Sequence, residues 1–224
     1  MKTDVELDQL GDEAPTLMSK RFRGFLPVVI DIETGGFNSE TDAILEIAAT
    51  FLQFDENAQL SPLETLEFAI EPFGGANIEP AALEFTGIDP YSDSRDAKDE
   101  AESLRSLTRS VRQEVRQQGC VRAVLVGHNA SFDHGFLFAA LQRHNIKRNP
   151  FHPFSTLDTV SLSALAFGQT VLANACKAAR IEFSNSSAHR ASYDCIKTAE
   201  LFCTIVNRWQ NAMGWPGQEP PAPV

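Results

Sequence analysis

The sequence has little of several features that mark particular protein classes. Its four cysteines are Cys120, Cys176, Cys195 and Cys203, and none shows the C-x-x-C spacing of zinc or redox motifs. The apolar surroundings of Cys176 and Cys203 predict reduced, buried thiols. No stretch approaches the length of a membrane span, and the first twenty residues lack the apolar segment of a signal peptide. These absences predict a cytoplasmic protein without membrane contacts.

Positive charge is missing from a long part of the chain. Residues 24–94 contain 14 acidic residues and no Lys or Arg, whereas residues 95–148 carry 10 basic residues against 6 acidic ones. The net charge of -11 argues against indiscriminate nucleic-acid binding, which depends on cations meeting phosphates. The uneven distribution still predicts an acidic surface suited to a divalent cation and a basic surface suited to a polyanion.

A single folded domain accounts for most of the 224 residues. We predict a flexible acidic tail over residues 1–19, a domain over 20–213, and a flexible proline-rich tail over 214–224. Apolar patterns predict strands at 27–34, 43–54, 63–71, 121–127 and near 155–158, and helices over 99–118, 131–145, 159–167, 170–180 and 190–209. This order predicts an α/β fold with a mixed five-stranded sheet and helices on both faces.

Two carboxylates end the apolar run PVVIDIETGG at residues 27–36. On a strand, Asp31 and Glu33 point to the same face because side chains alternate with a period of two. Since burying unpaired carboxylates is costly, the pair is expected to share a cation, and a hard divalent metal is the simplest candidate. The alternative is a strand end at which both acids enter water.

Two further carboxylates lie where helices begin. Asp133 follows a predicted strand in VLVGHNASFDHGFL, and Asp194 lies in the first turns of the last predicted helix. Either residue alone is explained as a helix cap or as a partner of the helix dipole. Together with Asp31 and Glu33 they predict one acidic site, because strand ends and helix starts are where an α/β sheet presents its functional groups.

Three motifs in this order resemble the four-carboxylate 3′-to-5′ exonucleases of the ribonuclease H-like fold. They are Asp31-x-Glu33, Asp133 within H-N-A-x-F-D, and His189 five residues before Asp194. The histidine matches the branch whose third motif is H-x4-D, since the sister branch has a tyrosine where this chain has Arg190. The resemblance implies a ribonuclease H-like fold and a hydrolase that releases 5′-nucleotides from 3′ ends.

The resemblance also implies the cofactors and their ligands. In this family two Mg²⁺ or Mn²⁺ ions are held by four carboxylates, which match Asp31, Glu33, Asp133 and Asp194. Two such ions stabilise both the attacking and the leaving oxygens of an in-line phosphoryl displacement. His189 matches the general base, a role suited to an imidazole because histidine titrates near neutrality. Its alternative reading is a loop imidazole beside Arg190.

Longer segments are similar to the family members that trim the 3′ ends of transfer RNA and other stable RNAs. They are RFRGFLPVVIDIETGGFN, RNPFHPFSTLDT and TAELFCTIVNRW. This similarity implies single-stranded RNA 3′ ends as the substrate, including ribosomal RNA precursors, with single-stranded DNA as a second substrate. It further implies that four phenylalanines stack on terminal bases, although a core position is the alternative for each: Phe37, Phe85, Phe132 and Phe154. Ala81 stands where these relatives have a base-contacting glutamate, which leaves discrimination among 3′ bases open, with Glu79 and Glu84 as the candidate substitutes.

The same similarity implies a homodimer in which the basic patch of one subunit faces the active site of the other. The matching residues are Arg21, Arg23, Arg122 and Lys147, with Lys20 and Arg148 nearby. A stripe of four arginines at helical spacing is explained equally well by RNA binding or by a solvated helix face: Arg105, Arg109, Arg112 and Arg116. Two other functions fit this fold, namely a DNA proofreading or repair exonuclease of the same branch and a catalytically silent RNA-binding scaffold.

Overall fold

A computed structural model of the protein describes residues 15–216, so most of both predicted tails lies outside the described residues. Five strands form one sheet in the order β3-β2-β1-β4-β5. They are β1 (Phe25–Thr34), β2 (Ile44–Phe54), β3 (Leu60–Ala69), β4 (Arg122–Gly127) and β5 (Phe151–Asp158). The first three strands form an antiparallel meander, and β4 and β5 continue the sheet from β1 in parallel. The predicted mixed five-stranded sheet is confirmed.

Seven α-helices accompany the sheet in residues 15–216. They are α1 (Leu17–Lys20), α2 (Pro80–Thr86), α3 (Glu100–Gln117), α4 (Ala130–Arg143), α5 (Thr159–Phe167), α6 (Leu172–Ala178) and α7 (Ala191–Met213). α7 packs across β1, β2 and β3, whereas α3 and α4 pack against β1 and β4. Residues 26–30 of β1 are all buried, although successive side chains of a strand point to opposite faces. Both faces of the central strand are therefore covered.

The main differences from the sequence prediction are two boundaries and one missed helix. The folded region includes residues before position 20, because Met18 is 2% exposed and the Thr16 hydroxyl donates to the Gln118 carbonyl at 2.6 Å. β5 begins at Phe151 rather than near residue 155. The short helix α2, with Pro80 at its first position, was not predicted.

The apolar segment Thr159–Ala178, with a mean hydropathy of 1.2, is long and apolar enough to cross a membrane by length and composition. This segment contradicts the expectation that no stretch approaches the length of a membrane span. In the fold this segment is divided between α5 and α6, and Gly168, with φ +68°, ends α5. Only 22% of its apolar window is buried.

The parallel strands place their carboxyl ends at one edge of the sheet. β1, β4 and β5 all run in the same direction, so the residues near Glu33, Gly127 and Asp158 meet there. α4 and α5 begin at this edge because each follows its strand almost directly. An α/β sheet presents functional groups at such an edge.

Candidate active site

The carboxylate pair of β1 lies at this edge. Asp31 is partly buried and Glu33 is 9% exposed. Glu33 stands directly opposite Glu46 of β2, and the register of the two strands shifts between Glu33 and Thr34. Directly opposite residues share a face, so Glu46 adds a third acid close to the pair. Strands β1 and β2 alone therefore place three acidic residues at this edge of the sheet.

Asp133 reaches the pair from the first turn of α4. It is 5% exposed, and its Oδ1 accepts a hydrogen bond from the backbone N–H of Ile32 at 3.0 Å. Because Ile32 stands between Asp31 and Glu33, this bond places the Asp133 carboxylate beside both. Gly127, the last residue of β4, permits the approach, since a Cβ there would lie 3.2 Å from Asp133 Oδ2. A larger residue at 127 would crowd this carboxylate.

His189 and Asp194 come from the loop before α7 and from its first turn. Asp194 is 8% exposed, and its Oδ2 accepts a hydrogen bond from the backbone N–H of His189 at 2.9 Å. Its other oxygen, Oδ1, is buried and has no hydrogen-bond partner among the described residues. One ligand atom from each of Glu33, His189 and Asp194 lies within 4.8 Å of the other two.

Burial and mutual repulsion raise the pKa values of these carboxylates. The pKa of Asp31 lies well above its usual range, first because of burial and then because of the charges of Asp133 and Glu33. Burial, helped by the charges of Asp194 and Glu46, raises the pKa of Glu33 to about 7. Burial also raises the pKa values of Asp133 and Asp194. The site therefore favours binding either protons or a cation.

The donor set fits a hard divalent cation. Carboxylate oxygens are preferred ligands of Mg²⁺ and Mn²⁺, and the unpartnered Oδ1 of Asp194 is one such oxygen. The group within 4.8 Å comprises Glu33, His189 and Asp194. Asp31 and Asp133 lie beside this group and add charge to it.

The four predicted phenylalanines differ in how far their side chains are exposed to solvent. Phe37 and Phe154 are 82% and 80% exposed, and Phe85 is 65% exposed. Phe132 is partly buried. Phe154 packs edge-on against the ring of His152 on β5, with centroids 4.5 Å apart. Exposure of three large aromatic rings leaves them available for stacking.

Three of these rings border the acidic edge. Phe132, which precedes Asp133, meets Phe37 edge-on with ring centroids 6.3 Å apart. Phe85, in α2, lies 4.2 Å from the ring of His189. The unpredicted helix α2 thus brings an exposed aromatic ring to the histidine.

The predicted basic residues Arg23 and Arg122 lie at the opposite end of β1. The Arg23 guanidinium lies 5.3 Å from the ring centroid of Phe25. Phe25, the first residue of β1, pairs with Arg122, the first residue of β4. Phe25 precedes Asp31 by six residues of strand, so the two ends are about 20 Å apart at 3.3 Å per residue. The basic surface and the carboxylates of one chain are therefore well separated.

The other predicted basic residues have different surroundings. Arg21 is partly buried with its guanidinium 4.8 Å from the Phe22 ring, and burial lowers its pKa. Lys147 is exposed. Two arginines of the α3 stripe, Arg112 and Arg116, line a cavity of about 270 Å³ together with Arg122. The end of the stripe is therefore continuous with the Arg122 surface.

Sequence reasoning missed three polar residues near the site. Asp158, at the end of β5, accepts hydrogen bonds from the backbone N–H groups of Asn129 and Val160 at 3.3 and 2.7 Å. His128 Nδ1 lies 2.9 Å from the Thr159 hydroxyl, and Glu46 is buried opposite Glu33. Asp158 could have been predicted as a site residue, because like Asp133 it lies where a strand ends and a helix begins.

Comparisons with known proteins identify the family of the chain. A family model described as Exonuclease matches residues 28–202. A protein named Ribonuclease T from Hahella chejuensis is 60% identical over 198 residues, which cover 88% of this chain and 91% of that protein. Ribonuclease T of Vibrio cholerae is 58% identical over 200 residues, 89% of each chain.

Solved structures share the fold. Escherichia coli exonuclease I in complex with a dT13 oligonucleotide superposes with a TM-score of 0.63 at 21% identity, covering 84% of this chain and 42% of that chain. This protein thus spans about two-fifths of the length of exonuclease I, and the likeness shows the ribonuclease H-like fold alone. The family match, together with named relatives that are 58–60% identical over most of both chains, shows that the chain belongs to the ribonuclease T family of exonucleases.

Proposed function

We propose that the protein is a metal-dependent 3′-to-5′ exoribonuclease that removes nucleotides one at a time from the single-stranded 3′ ends of transfer RNA and other stable RNAs, including ribosomal RNA precursors. The convergence of Glu33, His189 and Asp194 within 4.8 Å, beside Asp31 and Asp133, carries this proposal. Single-stranded DNA is a second substrate, because phosphodiester chemistry alone does not distinguish the two nucleic acids. The proposed location is the cytoplasm.

The proposed cofactors are two Mg²⁺ or Mn²⁺ ions. Asp31, Glu33, Asp133 and Asp194 would hold them, because their oxygens are hard ligands crowded at one place. When bound, the ions would stabilise negative charge on the attacking and leaving oxygens of the phosphoryl displacement. The chain prepares this site by fixing the Asp133 carboxylate on the Ile32 N–H.

His189 is the proposed general base. Its ring lies against Phe85 and its backbone is bonded to Asp194, so the imidazole is held next to Glu33 and Asp194. There it accepts the proton of the attacking water. His189→Ala is expected to lower kcat about 10²- to 10⁴-fold and to leave the Kd for RNA nearly unchanged. Full activity of that variant would remove the histidine from the mechanism.

Exposed aromatic rings would hold the terminal nucleotides. Stacking is worth about 1–3 kcal/mol per base and tolerates any base, which suits a trimming enzyme. Phe37 and Phe85 are exposed and lie next to Phe132 and His189 respectively. Phe154 is the third exposed candidate.

A homodimer is supported by two observations. The surface formed by Arg23 and Arg122 lies about 20 Å from the carboxylates of its own chain, so it would serve the site of a second subunit better than its own. In addition, an apolar groove of about 540 Å³ runs between α5 and α7. Leu165 and Trp209 line it and are 78% and 55% exposed, as expected of a surface that another protein covers. We propose that a second copy of the chain covers this groove.

We assign any discrimination among 3′ bases to the start of α2, where Glu79 or Glu84 would substitute for the glutamate that relatives have at the position of Ala81. Ala81 is exposed in the first turn of this helix, and Glu84 is exposed next to Phe85. Glu79 is fixed by its backbone N–H, which donates to the Gly35 carbonyl at 2.6 Å. The rate at which an RNA with a 3′-terminal C is trimmed should be compared with the rate for an RNA with a 3′-terminal A, in both wild type and Glu84→Gln. Equal rates in wild type would show that this protein does not discriminate between these bases.

A 5′-labelled single-stranded RNA and the matching DNA test the proposed function, because the label stays on the strand as its 3′ end is shortened. Stepwise shortening of the RNA that requires Mg²⁺ or Mn²⁺ is expected, and Asp31→Asn is the matched inactive control. Shortening of DNA with no action on RNA would favour a proofreading or repair exonuclease. Binding without shortening of either strand would favour the scaffold.

A further inference from the structure

The loop that carries His189 is held from two sides. On one side the Asp194 carboxylate accepts the His189 backbone N–H. On the other side lies Glu46 of β2, which is 3% exposed. Its Oε2 accepts hydrogen bonds from the Ala191 backbone N–H and from Arg190 Nε, each at 3.3 Å. Arg190 Nη2 also lies 3.0 Å from Glu46 Oε1.

These contacts replace a missing helix cap. The residue that precedes α7, Arg190, makes no side-chain capping bond. The N–H groups of the first helical turn have no partner within the helix, so the Ala191 N–H needs an acceptor from outside. Glu46 supplies that acceptor from the neighbouring strand, and its negative charge suits the positive end of the helix. The start of α7 is thereby tied to the sheet.

The backbone conformation of His189 explains why the contact between Glu46 and α7 affects the position of the imidazole. His189 has φ +64°, a conformation that residues with a side chain rarely adopt. Such a conformation persists only where the surroundings fix it. Asp194 fixes the peptide before His189, and Glu46 fixes the chain immediately after it through Arg190 and Ala191. The two anchors together set the direction in which the imidazole leaves the backbone.

We infer that Glu46 is a positioning residue for His189, with Arg190 as its partner, an inference that rests on the proposed function. Glu46 acts on the reaction by holding the His189 loop against β2. A different role is conceivable for the same side chain, because Glu46 also stands opposite Glu33 and could act on the metal ligands instead. The two roles differ in whether the effect of Glu46 depends on His189.

A double-mutant cycle separates the two roles. Glu46→Ala should lower kcat about ten- to hundredfold with KM within about threefold, because displacing a catalytic group by about 1 Å has effects of that size. In a His189→Ala background the same change should cause less than about a twofold further loss, since residues that act as a unit are not additive. An equal loss in both backgrounds would overturn the inference.

Three further variants complete the design. Glu46→Gln retains an acceptor for the Ala191 N–H and should recover most of the kcat lost in Glu46→Ala. Arg190→Ala removes a side chain that is 58% exposed, so it should fold normally and lower kcat about threefold to tenfold. Glu67→Ala is the matched control, because Glu67 is exposed and lines the same cavity of about 330 Å³ as Glu46 and Arg190. Wild-type kcat in both Glu46→Ala and Arg190→Ala would overturn the inference.

Amide hydrogen exchange on the metal-free protein gives a readout that does not depend on activity. In Glu46→Ala the amide of Ala191 should exchange at least about tenfold faster, while amides of β4 keep their wild-type rates. Unchanged exchange at Ala191 would contradict the tie between β2 and α7. A wild-type protein without exonuclease activity would instead defeat the proposed function, and the exchange result would still decide whether Glu46 holds the loop.

Discussion

The metal-free protein should lose stability as the pH rises from 5 to 8, and Glu33→Gln should remove much of that loss. Glu33 is 9% exposed, and burial together with the charges of Asp194 and Glu46 raises its pKa from 4.5 to about 7. A carboxyl with a higher pKa in the folded state binds more protons when folded. The free energy of unfolding therefore falls as the pH rises from 4.5, the usual pKa of the carboxyl, to about 7, its pKa in the folded protein.

The size of the effect follows from the two pKa values. Each pH unit between 4.5 and about 7 corresponds to about 1.4 kcal/mol. Ionising Glu33 without a bound cation therefore costs the fold about 3 kcal/mol, or about 6–12 °C in Tm for a domain of this size. The pKa values of Asp31, Asp133 and Asp194 are also raised, so they add to the loss in the same direction.

Thermal and urea unfolding in EDTA at pH 5 and pH 8 would measure this effect. Comparing Glu33→Gln with wild type at each pH cancels the contributions of groups that both proteins share, and Glu67→Gln on β3 is the exposed control. Adding Mn²⁺ at pH 8 should stabilise wild type more than Glu33→Gln. The same pH dependence in wild type and Glu33→Gln would refute the reasoning, as would a wild type that gains stability relative to the variant as pH rises.

Three further predictions concern the surfaces around the site. Phe37→Ala should weaken binding of single-stranded RNA by about 1–3 kcal/mol in an anisotropy titration, and an unchanged Kd would exclude stacking by this ring. The double variant Arg23→Glu and Arg122→Glu should weaken RNA binding and flatten the dependence of log K on log salt, whereas an unchanged slope would place the basic patch elsewhere. Leu165→Asp should give monomers in sedimentation experiments because it introduces a charge into the proposed subunit contact, and a dimer that persists would contradict that assignment.

The fold was predictable where the sequence has a strong apolar pattern. β1 was recognised as a short apolar run and α3 by apolar residues at helix spacing, and the family membership and mixed sheet are confirmed. α2 was missed because seven residues that start at Pro80 show no apolar stripe. The first boundary was misplaced because Leu17 and Met18 are only two apolar residues in a polar stretch, although Met18 is buried at 2% exposure.

The site was predictable only in part. Asp31, Glu33, Asp133, His189 and Asp194 could be named from motif spacing, and their catalytic roles remain predictions. Glu46 could not be identified, since within AILEIAATF it is a single acid in an apolar strand. Its importance depends on the pairing of β2 with β1 and on the approach of α7, which join residues far apart in the chain.

The bond between the Asp133 carboxylate and the Ile32 N–H has a consequence for how this protein can change over evolutionary time. Because that carboxylate also joins α4 to the central strand, losing it would harm the fold as well as the chemistry. A descendant released from selection for catalysis is therefore expected to lose Glu33 or His189 first and to keep an acceptor at position 133. An aspartate at position 133 therefore does not by itself distinguish a working nuclease from an inactive descendant.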